Sequence, residues 1–221
     1  MNITWLAHAA FLIEGDGLRI ITDPYTPERM GFADITTPAD IVIRSSDDDL
    51  AHCNAAMIRG HPIVITATQV EPAGLVARGV LFTAIPAQES LIHKMEPGDN
   101  ALYRFTLDGL RVAHFGDVGN RLTAAQLAAL AGAQVLLVPA GGPPTIELDD
   151  LLDAIAVIQP RVVIPMHYQL PHASFKMLAV TDLASRWPAD QVVWHASSTL
   201  TLTAATLPSQ PRLIILPPTT A

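Results

Sequence analysis

Asp108-Gly109-Leu110-Arg111-Val112-Ala113-His114-Phe115-Gly116-Asp117 divides the chain into two kinds of pattern. Asp108-Gly109 stands between two apolar runs, Leu102 to Leu107 and Arg111 to Phe115. An Asp-Gly pair accepts the positive φ that tight hairpin turns demand, so it predicts a β-hairpin here. His114-Phe115-Gly116-Asp117 then ends the second strand and opens a loop. Gly116 would let the backbone approach an ion or a substrate closely.

Upstream of this hairpin the chain reads as strands. Ile3 to Leu6, Ala10 to Ile13 and Leu18 to Thr22 are short apolar runs, and Glu14-Gly15-Asp16-Gly17 is a turn between the last two. Asp23-Pro24 stops strand pairing, because proline has no N–H to donate. Tyr25 to Ala39 reads as a loop. Ile41 to Ile43, Ile63 to Thr66 and Val80 to Ile85 are further strands, with a polar, irregular stretch from Ser45 to Asn54 between the first two.

Downstream, strand and helix alternate. Thr123 and Gln126 form a capping box ahead of Leu127 and Leu130. Leu148, Leu151, Leu152, Ile155 and Ile158 recur at helical spacing, with Glu147, Asp149 and Asp150 in the first turn, where the helix dipole favours acids. Val135 to Val138, Val162 to Pro165, Val192 to Trp194 and Thr199 to Thr203 are strands, and Phe175 to Trp187 reads as a helix. The fold class is therefore α/β in content and α+β in layout: two mixed sheets packed together with helices outside. One domain is expected over residues 1–206, followed by a Pro-rich tail over 207–221. Leu213-Ile214-Ile215-Leu216 in that tail reads as an extra edge strand or a partner contact.

Composition narrows the function. Half of the 221 residues are hydrophobic, 15% are charged, and the mean hydropathy is +0.33. Such a chain can bury a sizeable core. It contains no run of about 18 uninterrupted apolar residues, so no membrane partner is expected. The net charge of −8 and the lack of any Lys/Arg cluster argue against nucleic acid. The first residues carry no basic segment, so a signal peptide is not expected. A single cysteine, Cys53, suits the reducing cytoplasm.

Four clusters could carry chemistry. They are Leu6-Ala7-His8-Ala9, His114-Phe115-Gly116-Asp117, Ile164-Pro165-Met166-His167-Tyr168, and the Arg44 to Asn54 stretch with Asp47, Asp48, Asp49, His52 and Cys53. Imidazole and carboxylate are natural ligands of divalent ions. Each also has a plainer reading. His8 could be a hydrogen-bonded structural residue, Asp117 a turn residue, and Asp47 to Asp49 a solvated loop. Nothing around Ser45, Ser46 or Cys53 marks a nucleophile elbow. His61, His93 and His172 read as loop residues, and His195 as structural.

Taken in order, several segments resemble the metallo-β-lactamase superfamily, in particular its small metal-dependent hydrolases similar to ascorbate-6-phosphate lactonases. They are Thr4-Trp5-Leu6-Ala7-His8-Ala9-Ala10-Phe11-Leu12-Ile13-Glu14, Ile21-Thr22-Asp23-Pro24, Asp108 to Asp117, Pro139 to Ile146, and Val163-Ile164-Pro165-Met166-His167-Tyr168. The resemblance spans roughly Ile3 to Thr203. It implies an αββα sandwich with a metal site at one edge between the sheets. It also implies that Asp117 matches the metal-bridging aspartate and His167 the last metal-binding histidine. The chain departs from the family at the H-x-H-x-D-H motif. Ser45-Ser46-Asp47-Asp48-Asp49-Leu50-Ala51-His52-Cys53 stands there, and on an ungapped match Ser46, Asp48, Leu50 and Ala51 fill the ligand positions. No histidine stands near Ala87-Gln88-Glu89, where the family's middle one would fall.

Two accounts follow. In the first, Asp48, Asp49 or His52 rebuilds a divalent site with Asp117 and His167. Zinc is the family's ion, and manganese or magnesium would suit an oxygen-richer set. The ion would lower the pKa of its water from about 16 toward about 7 for attack on an ester, lactone, amide or phosphoester of a small-molecule substrate. His8 or His114 would support a ligand or donate a proton. In the second account the metal is gone and the cleft binds a ligand, since fold does not fix function. The apolar composition is also compatible with a homo-oligomer.

Overall fold

The computed structural model describes residues 1–46, 51–89, 99–171, 173–174 and 176–219. Its strands are β1 (Asn2–Ala7), β2 (Ala10–Gly15), β3 (Leu18–Thr22), β4 (Ile41–Arg44), β5 (Ile63–Thr66), β6 (Leu75–Ala77), β7 (Val80–Gln88), β8 (Asp99–Leu107), β9 (Leu110–His114), β10 (Val135–Pro139), β11 (Val162–Met166), β12 (Val192–Trp194), β13 (Thr199–Thr201) and β14 (Arg212–Ile215). The helices are α1 (Pro27–Met30), α2 (Ala124–Leu130), α3 (Leu148–Ile158) and α4 (Val180–Ala184). None of the described helices is long and apolar enough to cross a membrane.

Two mixed sheets result. The first runs β13-β1-β2-β3-β4-β5 and the second β12-β14-β11-β10-β9-β8-β7-β6. Strands read as continuous apolar runs take the doubly covered places. Every residue of β10 and β11 is buried, as parallel strands flanked by crossovers require. The crossovers are α2 and α3. In α2 the capping box forms as expected, with Thr123 N donating to Gln126 Oε1 at 2.8 Å and Gln126 N to Thr123 Oγ1 at 3.3 Å. In α3, Leu148, Leu151, Ala154, Ile155 and Ile158 form the buried stripe.

The two Asp-Gly hairpins meet. Asp16-Gly17 and Asp108-Gly109 both turn through positive φ. Asp16 N donates to Asp108 Oδ1 at 2.6 Å, and Asp108 N donates to Asp16 Oδ2 at 2.7 Å. The Met1 ammonium lies 2.6 Å from Asp108 Oδ2 and is the main cause holding that carboxyl below its usual range. One hairpin belongs to each sheet, so these tips lock the sheets at one end. The loops bearing His8 and Asp117 leave β1 and β9 at the other end.

Two expectations are corrected. The helix read over Phe175 to Trp187 is confined to Val180–Ala184. Just before it, Met177 N donates to Gln169 Oε1 and Leu178 N to Gly141 O, so tertiary partners take the donors a helix would use. The Leu213 to Leu216 run is not an edge strand: β14 lies between β12 and β11. Its side chains are buried, which an interior position satisfies and an edge would not.

Gly116 is required by contact as well as by conformation. Its φ is +58, and a Cβ there would stand 2.4 Å from Ser45 Cβ. Gly17 has a similar φ of +73 with nothing within 4 Å. Gly17→Ala is expected to cost about 1–2 kcal/mol from the left-handed backbone alone. Gly116→Ala adds overpacking of about 1–3 kcal/mol. Thermal unfolding should therefore show Gly116→Ala melting well below Gly17→Ala, and equal melting points would contradict the contact.

Candidate metal centre

His8, His167 and Asp117 leave the ends of strands, and His52 lies on a loop. His8 sits in the turn joining β1 to β2 at φ 52, and His167 follows β11 at φ 49. Non-glycine residues rarely adopt this conformation, and surrounding bonds must hold them there. They do: the His8 carbonyl accepts from Trp5 Nε1 at 3.0 Å and from His167 N at 3.1 Å. The second bond joins the two sheets. Gly141 makes room, since a Cβ there would fall 2.4 Å from the His167 carbonyl oxygen. His52 lies on the loop after β4, where Asn54 N donates to Pro24 O at 2.8 Å. Asp117 follows β9, and its neighbours are pinned by Phe115 N to Leu137 O at 3.0 Å and Ile146 N to Val118 O at 2.7 Å.

These placements bring three imidazoles together. His8, His52 and His167 are all buried, and each offers a ring nitrogen within 4.8 Å of the other two. The His8 and His167 ring centroids are 3.9 Å apart, His8 and His52 4.7 Å, and His52 and His167 5.3 Å. Asp117, also buried, places Oδ2 3.5 Å from His52 Nδ1. Its Oδ1 accepts from Asn100 Nδ2. Burial, reinforced by the charges His167 and His52 could carry, holds the His8 imidazole well below its usual pKa. A neutral imidazole is the form that binds a metal. Three buried imidazoles converging from three loops therefore fit a divalent ion.

His114 is turned to another task. Its Nε2 donates to Asp23 Oδ2 at 2.6 Å, with both residues fully buried. Asp23 also accepts from Ser45 N at 2.6 Å and Ser45 Oγ at 3.0 Å. Ser46 Oγ lies 3.6 Å from Cys53 Sγ. Asp47, Asp48, Asp49, His93 and His172 lie outside the described residues. His61 is exposed, and His195 bonds its own turn through Ser197. Sequence reasoning passed over Asn100 and gave Asp23 no role beyond ending a strand. Nothing local marks Asn100, whereas an acid directly after the Ile20-Ile21-Thr22 end of a strand was a usable signal for Asp23.

Residues 2–167 match a family described as the beta-lactamase superfamily domain. The chain belongs to this superfamily. A metal-dependent hydrolase of Archaeoglobus fulgidus is 28% identical over 193 residues, covering 76% of this chain and 83% of its own. One of Carboxydothermus hydrogenoformans is 29% identical over 191 residues, covering 76% and 84%. Among solved structures, a Thermotoga maritima protein assigned as a Zn-dependent hydrolase of the metallo-beta-lactamase superfamily superposes with a TM-score of 0.78. It is 28% identical and covers 97% of each chain. The metallo hydrolase Igni18 of Ignicoccus hospitalis, at 23% identity and a TM-score of 0.64 over 100% of this chain and 97% of its own, shares the fold. The two mixed sheets are thus a metallo-β-lactamase-like fold, as the sequence resemblance implies.

A buried neutral His8 makes stability depend on pH. Its folded pKa is depressed, so the unfolded chain takes up that proton first. The metal-free protein should lose stability as pH falls through about 6.5 toward the folded value. Urea unfolding between pH 7.5 and 5 should show a shallower loss for His8→Gln, by up to about 1.4 kcal/mol per pH unit. Parallel slopes for the two chains would contradict the burial argument.

Proposed function

We propose that this superfamily member is a metal-dependent hydrolase of small-molecule substrates, with His8, His52 and His167 as the residues that hold its ion. The observation that carries this reading is the convergence of three buried imidazoles at one point. A binding protein on a decayed fold has no need of such convergence. The metal-dependent hydrolases among the chain's relatives support the same reading.

A bound divalent ion supplies Lewis acidity and a hydroxide-like water at neutral pH. The chain supplies the rest. His8 and His167 are fixed by the backbone bond between them, so their rings have little freedom to drift. Phe32, 6.4 Å from the His8 ring and packed edge-on against Tyr25, forms an apolar wall that limits water. Asp117 stands beside His52. Imidazole-rich donors suit zinc better than the manganese or magnesium that the acidic loop suggested. The net charge of −8 supports a small-molecule substrate over a nucleic acid. A cytoplasmic setting fits a chain with one cysteine, Cys53.

The test is a screen of simple esters, lactones, amides and phosphoesters with metal-free protein and with protein reloaded with zinc or manganese. Hydrolysis is expected only in the reloaded protein, and His167→Ala should return it to background. Hydrolysis indifferent to chelation, or none with either ion, would contradict the proposal.

A further inference from the structure

We propose that the open side of the sandwich bearing β5 and β6 is an interface between two copies of this chain, joined by antiparallel pairing of β5 with its twofold-related copy.

The side chains are the first observation. Among the described strands, β5 ends the first sheet and β6 ends the second. Both ends lie on one side of the sandwich. Tyr103 of β8 reaches the carbonyls of Arg44 and Ile65, and the turn directly after β5 packs on β7 and β8. Ile63, Val64, Leu75, Val76 and Leu81 are all exposed here, Val76 by 67%. Val76 and Leu81 are cross-strand partners, so they present one apolar face together. Sheet edges that stay open are guarded by charge, above all by lysine. β5 reads Ile63-Val64-Ile65-Thr66 and carries no charge, and Pro62 stands before the strand, not within it.

The main chain is the second observation. β5 pairs in parallel with β4, and Ile63 N donates to Asp40 O at 3.0 Å. In a parallel ladder alternate residues serve the same neighbour, so Ile63 and Ile65 bond toward β4. Val64 therefore turns its N–H and C=O to the open side. Two β5 strands running antiparallel about a twofold axis at Val64 exchange both of these bonds, each copy supplying the donor and the acceptor that the other needs. An isologous contact demands this self-complementarity.

Charge selects the occupant. Residues 55–88 hold three charged side chains, Arg59, Glu71 and Arg78, in a chain whose net charge is −8. The excess of acids elsewhere opposes the approach of two copies, and on this stretch it is absent. A strongly charged partner finds no complement here, whereas a second copy brings the same uncharged apolar edge.

The experiment is sedimentation equilibrium of the whole purified chain over a wide concentration range. It compares the natural protein with Val64→Pro, Val76→Lys and Trp194→Lys, the last on β12 at the opposite end of the second sheet. The natural chain should reach twice its mass of 23.6 kDa. Val64→Pro removes an N–H that β4 does not use, so it should fold and stay at the mass of one chain. Val76→Lys should shift dimerisation to higher concentration, and it decides the matter if Val64→Pro fails to fold. Trp194→Lys should leave dimerisation unchanged. A monomer at every concentration, a dimer that survives Val64→Pro or is indifferent to Val76→Lys, or one that Trp194→Lys dissociates would overturn the proposal.

Discussion

Burying the Asp23 carboxylate where the two sheets meet is the constraint on which the site depends. A charge taken out of water must be hydrogen-bonded from all sides or it unfolds its surroundings. Asp23 ends β3, Ser45 follows β4, and His114 ends β9, so its three donors come from both sheets. The Ser45 carbonyl in turn accepts from Ala101 N in β8. One residue pair further along, Tyr103 OH of β8 donates to the carbonyls of Arg44 and Ile65 at 3.0 and 2.8 Å, tying β8 to β4 and β5. Removing a partner so that a buried polar group is left unsatisfied typically costs about 1–3 kcal/mol. Here it would also release the loop that carries Asp117, three residues after His114.

With the sheets fixed in this way, the strained residues make sense. Asp23, His8 and His167 all hold positive φ, at 35, 52 and 49. Each stands where a strand gives way to a loop at the same edge of the sandwich. Positive φ there turns the chain sharply enough to aim a side chain back between the sheets, and the cost is met by bonds such as His167 N to His8 O. The result is a donor set drawn from distant parts of the chain and held without help from regular structure. Among the described residues, three loops each bring one imidazole to this cluster.

How much of this could be read from the chain alone follows from range. Strands buried on both faces, such as Val135–Pro139 and Val162–Met166, announce themselves by unbroken apolar runs. The two Asp-Gly turns and the Thr123/Gln126 cap are local chemistry and were equally legible. Val180–Ala184 was overread because the donors preceding it are claimed by Gly141 and Gln169, which no window of sequence contains. The β14 strand was misplaced at an edge because order within a sheet is not written in a strand's own residues. The site divides in the same way. His167 and His52 stood out as candidates, but the meeting of His8 with both, and the hold of Asn100 on Asp117, depend on contacts between residues far apart in sequence. The expectation of an oxygen-rich centre leaned on Asp47, Asp48 and Asp49, which lie outside the described residues.

The central claim is that imidazoles from three loops make one metal centre. X-ray absorption spectroscopy at the zinc edge, on protein loaded with zinc and freed of excess, tests it most directly. The account requires a nearest shell dominated by imidazole nitrogens at about 2.0–2.1 Å, with the outer-ring scattering that imidazole produces. A shell dominated by oxygen would contradict it.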